Sequence, residues 1–143
     1  MLFKIEMDSK ILSIVLTGSK LQKFREVIKM VGFVTPICNI IFSSGITKSK
    51  GVHIMHINDD TLILTKIHLT EQFLNNFQCN QPIINVEIDM ENLYEKLCEF
   101  KQNDQIKMYI NTNNPNILYI KNLSTNNEPI IEIPILKSPS SGS

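Results

Sequence analysis

Four cations fall within ten residues of this 143-residue chain: Lys20, Lys23, Arg25 and Lys29. Such a cluster attracts phosphates, or else it only keeps a helix face in water, where lysine and arginine usually sit. The other residues with reactive side chains are poorly spaced for catalysis. His53, His56 and His68 lie in strand-like stretches, and no CxxC or HxxxH pattern accompanies them, so neither a metal nor another cofactor is expected. Cys38, Cys79 and Cys98 are odd in number and far apart, which fits unpaired, buried thiols in a reducing, intracellular setting. Asp59-Asp60 reads as turn chemistry and lacks the second carboxylate cluster of a metal-dependent nuclease. No nucleophile elbow or phosphate-binding glycine loop occurs. The expected chemistry is therefore binding, and the chain is not expected to be an enzyme.

The bulk numbers bound that binding. Hydrophobic residues make up 43% of the chain, enough for one domain with a real core. With 14 basic and 14 acidic residues the net charge is zero, so any phosphate-binding surface must be a local patch. No apolar run approaches the roughly 18 residues of a membrane span, and no membrane partner is expected. Lys4, Glu6, Asp8 and Lys10 break up any signal-peptide pattern at the N-terminus. The segment KSPSSGS is Ser-rich and aperiodic, so 137–143 is expected to be a disordered tail or linker outside a single domain of 1–136.

The elements that must position these residues follow from periodicity. A helix is predicted over 19–31, with Ser19 as cap and Gln22 as its capping-box partner. Its apolar stripe is Leu21, Phe24, Val27, Ile28 and Val31. A second helix is predicted over 90–101, capped by Asp89, with Met90, Leu93, Leu97 and Phe100 inward. Strands are predicted at 11–17, 37–42, 52–57, 61–69, 83–88, 105–110, 116–121 and 129–136, with 2–7 as a further candidate. Asn-rich turns separate the last three. The order β-α-β-β-β thus occurs twice, which implies an α+β architecture with two helices on one face of antiparallel sheets.

That duplicated unit resembles the domain plan of DNA sliding clamps of the proliferating cell nuclear antigen type. The segment GVHIMHINDDTLILTKI (51–67) is similar to the family's Gly-Val, alternating strand, short turn and second apolar strand. SKLQKFREVIKMV (19–31) looks like the first clamp helix. Phe77, Cys79 and IINVEIDMENLYEKL (83–97) resemble the family's aromatic-x-Cys, strand and second helix. The likeness covers about residues 11–136. Two departures stand out. Residues 2–10 precede the strand where such clamps usually begin, so 1–10 is expected to be an extension. The chain also ends where the connector to a second domain would start, which suggests the N-terminal half of a clamp or a single-domain relative, from a parasite or a large DNA virus.

The resemblance implies a DNA polymerase processivity factor that encircles double-stranded DNA without reading sequence, at the nucleus or a viral replication site. In such clamps, helices line a positive inner surface, so Lys20, Lys23, Arg25 and Lys29 become the expected DNA-facing residues. Glu91, Glu95 and Glu99 make the second helix acidic, and Tyr94 and Glu95 stand where the family often has Lys or Arg. An acidic face repels phosphates. The resemblance also places Ile57, Thr61, Leu62 and Leu64 at a hydrophobic pocket that takes short peptide motifs of DNA polymerase and other replication proteins. In EPIIEIPIL (128–136), Ile131, Ile133 and Ile135 mark the strand expected to pair across a subunit boundary, in a homo-oligomer that is a trimeric ring in the full-length protein. Pro134 suits an edge position. A second reading keeps the fold and drops the DNA: a clamp-like interaction scaffold or monomeric accessory factor. An unrelated α+β interaction domain and a hydrolase rank behind both.

Overall fold

A computed structural model describes residues 10–58, 63–74, 76–125 and 128–140. The candidate strand at 2–7 and the rest of the expected extension before residue 10 lie outside them. The first helix, α1 (Gly18–Val34), buries Leu21, Phe24, Ile28 and Val31, a stripe at helical spacing. It begins one residue before the expected cap. Thr17 is its N-cap and makes no side-chain capping bond, and Gln22 reaches the Gln102 carbonyl instead of closing a capping box. It stops because Pro36 holds Thr35 extended (φ −145°, ψ 127°), while the Thr35 N–H closes the last turn on the Val31 carbonyl at 2.9 Å. The second helix, α2 (Met90–Leu97), is capped as expected. The Asp89 carboxylate accepts from the Asn92 N–H at 3.1 Å and stabilises the helix by about 1 kcal/mol. It is shorter than the sequence suggests, and Phe100 completes its buried stripe from the turn that follows. The Met90 N–H donates to the Pro36 carbonyl at 2.8 Å, so the end of α1 is tied to the start of α2.

Ten strands accompany the helices among the described residues: β1 (Lys10–Thr17), β2 (Ile37–Ser43), β3 (Gly51–Asn58), β4 (Ile63–Thr70), β5 (Asn76–Cys79), β6 (Ile83–Asp89), β7 (Gln105–Asn111), β8 (Asn114–Asn122), β9 (Ile131–Pro134) and β10 (Lys137–Ser140). They form two antiparallel five-stranded sheets, ordered β5-β1-β7-β8-β9 (sheet A) and β10-β6-β2-β3-β4 (sheet B). The duplication is visible in this order. Each half contributes a three-strand meander to one sheet and sends its first strand into the other half's sheet. The short strand that ends each half, β5 or β10, lies outside that half's own first strand. Inward residues such as Leu12, Ile14 and Leu16 on β1, Ile84, Val86 and Ile88 on β6, and Ile106 on β7 join both helices in one core.

Two strands depart from the sequence expectation. β5 falls in a stretch with no predicted element, and β10 replaces the start of the expected disordered tail. Lys137–Ser140 pairs with β6, opposite Glu87 and Asn85. The step onto β6 is made by backbone alone: Ile135 N–H donates to the Asn116 carbonyl of sheet A, and Leu136 N–H to the Glu87 carbonyl of sheet B. A Ser-rich segment has no apolar pattern to reveal such a strand. Residues 141–143 lie outside the described residues.

Candidate functional site

The four predicted cations all lie on α1, and the fold engages three of them. Arg25 is half-buried and its Nη1 donates to the Leu97 carbonyl at 3.3 Å, serving the C-terminus of α2, where a positive charge also opposes the helix dipole favourably. Lys20 Nζ donates to the Gln72 carbonyl at 3.3 Å. Lys29 Nζ sits 5.9 Å from the centroid of the Tyr94 ring. The Tyr94 phenol is pushed above its ordinary value, first by its hydrogen bond with the Cys98 thiol, so that ring is neutral. Lys23 is exposed, with Glu26 beside it on the outer face of the helix.

The charge on this helix is not arranged for the helix's own benefit. Its first turn holds no acidic residue and its last turn no basic one, so Lys20 and Lys23 sit toward the positive end of the macrodipole. The second helix shows the opposite sign. Glu91, Glu95 and Glu99 are exposed, and Lys96 is paired to Glu99 at 3.7 Å. Between the C-terminal end of α1 and the N-terminal end of α2 lies a groove of about 340 Å³, lined by Ile28, Gly32, Phe33, Met90 and Tyr94 with Lys29 and Glu91. Phe33 beside it is 87% exposed, and Met30, Val34 and Ile37 are also exposed. A first helix ending at Val31, as periodicity suggests, leaves Phe33 out of the site. The available signal is the apolar Phe33-Val34 pair just before the Thr35-Pro36 stop.

The expected peptide pocket falls on the β3–β4 hairpin. Ile57 and Leu64 are register partners across it, with β4 at the edge of sheet B. Thr61 and Leu62 lie outside the described residues. The expected subunit edge is an edge in the structure: β9 is the last strand of sheet A. Ile133 and Ile135 point inward and are buried, and Ile131 is half-buried. What β9 offers a partner is therefore backbone. The Ile135 N–H bonds toward β8, so by alternation the backbone of Glu132 and Pro134 faces outward, and proline brings no N–H.

The remaining reactive side chains do not converge. Burial pushes the Cys38 and Cys79 thiols up, which keeps them protonated. Cys98 is exposed, not buried as expected, because it caps the end of α2. His53 is buried and His68 exposed, with their rings stacked. Among the described residues no group of three or more His, Cys, Asp or Glu could hold a metal, and no helix is long and apolar enough to cross a membrane.

No protein-family model matches the chain. Over 78 residues, 54% of the chain, it is 32% identical to the "Probable DNA polymerase sliding clamp" of Acanthamoeba polyphaga mimivirus, and that match spans 17% of the mimivirus protein. Proliferating Cellular Nuclear Antigen from Entamoeba histolytica superposes with a TM-score of 0.74 at 12% identity, over 94% of this chain and 51% of that one. A chain of the PCNA2-PCNA3 complex from Sulfolobus tokodaii superposes with a TM-score of 0.70 at 11% identity, over 92% of this chain and 49% of that one. The chain thus has the sliding-clamp fold, and it spans about half the length of these solved chains.

Proposed function

We propose that the chain is a domain of a DNA sliding clamp, a non-enzymatic processivity factor that holds replication enzymes on duplex DNA. The observation that carries the reading is the clamp fold with a cationic α1: a helix bearing Lys20, Lys23, Arg25 and Lys29 against Glu26, two of those lysines near its positive pole. Phosphates are the natural complement of that surface, and contacts of this kind are indifferent to base sequence. Within this reading the work divides among the four cations. Arg25 and Lys20 are bonded to backbone carbonyls and contribute field, whereas Lys23 and Lys29 are exposed and make the direct phosphate contacts. The β3–β4 hairpin at Ile57 and Leu64 is the docking place for partner peptides, and the outward backbone of β9 is the edge that joins a second subunit in a ring.

The second reading, a clamp-like scaffold with little DNA affinity, is favoured by the acidic α2 and by the exposed apolar groove at Phe33. The two differ in their salt dependence. Binding of the chain to a labelled duplex, followed by anisotropy across ionic strengths, is expected to be sequence-independent and to weaken with salt. Lys23→Glu with Lys29→Glu should cut affinity at least about tenfold at low salt and flatten the salt slope by roughly 1 to 2, one step for each phosphate no longer neutralised. The fold, monitored by circular dichroism, should not change. Equal affinity and slope in a folded double variant would leave the scaffold as the better account.

A further inference from the structure

The segment between β2 and β3, residues 44–50, folds over the outer face of sheet B. His53 shows this. Its neighbours Val52 and Ile54 point into the core, so His53 faces outward, beside Ile41 on β2 and His68 on β4. Yet only 5% of it is exposed. The covering segment supplies its contact: His53 Nε2 lies 2.7 Å from the Ser49 carbonyl oxygen. His68 Nε2 lies 3.1 Å from the next carbonyl, Lys50. Both acceptors are carbonyls, so both rings must carry their hydrogen on Nε2. The two rings stack at 4.0 Å between centroids and 8° between planes. Gly51 permits this approach. Its φ is +131°, and a Cβ there would collide with the Leu69 carbonyl. Ser43 Oγ secures the turn by donating to the Lys48 carbonyl at 2.7 Å and accepting from the Gly45 N–H at 3.2 Å.

We propose that the His53–His68 stack is a proton-operated latch on the 44–50 loop: a neutral His53 ring holds the loop on sheet B, and a proton taken up at His53 releases it. The proton has to enter at Nδ1, which is buried and has no hydrogen-bond partner among the described residues. The resulting charge would be desolvated, stacked on the second imidazole and near Lys48 and Lys66. Lys50 is paired to Glu71 at 3.1 Å, and on the β2 and β6 side the same row continues through Ile41 to Asn85, which are neutral, with Glu87 one row away. Burial first, and then the neighbouring His68, Lys48 and Lys66, hold His53 below its ordinary 6.5, against the Ser49 bond that favours the charged form. The sign follows. The folded pKa is depressed, so the loop's hold is complete above about pH 6.5 and is lost as pH falls from there through the folded value. Release uncovers His53 and Ile41, giving the outer face of sheet B a pH-dependent surface.

Amide hydrogen exchange of the full chain tests this, read as protection factors at Ser44 and Gly45, whose N–H groups bond to the Pro82 carbonyl and Ser43 Oγ when the loop is closed. Protection should be constant above about pH 6.5 and should fall by up to about tenfold per pH unit below it, the limit for one linked proton. The fall should begin near pH 6.5 and level off at the lower pH where the His53 ring titrates by NMR. His53→Gln, whose amide can donate to Ser49 but takes up no proton, should stay protected across the range. Constant protection in the wild type would overturn the latch, as would the same fall in His53→Gln. If that variant fails to fold, the wild type still decides: protection that keeps falling below the pH where His53 titrates, or that starts to fall well above pH 6.5, overturns the proposal.

Discussion

The two helices occupy equivalent places in a duplicated unit, yet they differ in nearly everything that faces solvent. Each follows the first strand of its half and buries a stripe of large apolar residues: Leu21, Phe24, Ile28 and Val31 on α1, and Met90, Leu93 and Leu97 on α2. Outside that stripe, α1 is 17 residues long, cationic and without a side-chain cap, whereas α2 is 8 residues long, acidic and capped by Asp89. The two helices thus share an inward face. Their outward charge is opposite in sign, and that difference is where function is to be sought. The contacts between the helices reinforce the point, since Arg25 and Lys29 of α1 both reach α2, one to a carbonyl and the other to a ring.

The largest expected effect tests the equivalence of the inward faces. Ile28→Ala and Leu93→Ala each remove a fully buried side chain, one per helix. Each should cost about 2–5 kcal/mol of unfolding free energy in urea denaturation. A near-neutral result at either position would show that the halves do not share one core. A smaller effect tests the asymmetry of the helix starts. Asp89→Ala should cost about 1 kcal/mol, because it removes a capping bond to the Asn92 N–H that α1 has no counterpart of at Thr17. No loss at Asp89 would erase that part of the comparison.

Much of this arrangement is legible in the sequence. Alternation along β6 and the helical stripes locate the core, because burial imposes a period that a sequence displays directly. Asp89 is legible as a cap, since its position places a side-chain acceptor beside free N–H groups. What escapes has a common cause. β5 and β10 are four-residue edge strands held by backbone bonds, which carry no side-chain signature. Arg25 reads as a free surface cation because no local pattern reveals that the Leu97 carbonyl, far along the chain, is its acceptor. The stacked histidines are equally hidden, since their pairing depends on the β3–β4 register and not on spacing. In the candidate site, sequence locates the cationic helix but not how the second helix anchors it, and the groove at Phe33 has no signature beyond an apolar pair before a proline.

The central claim is that α1, and not α2, meets duplex DNA. The most direct test is amide chemical-shift mapping of this 16.4 kDa chain with a short duplex of arbitrary sequence at low salt. Saturable shifts are expected along α1 from Lys20 to Lys29, largest around Lys23, with little change at Glu91, Glu95 and Glu99, and reversal on adding salt. Shifts centred on α2, or saturable binding that leaves α1 unmoved, would contradict it.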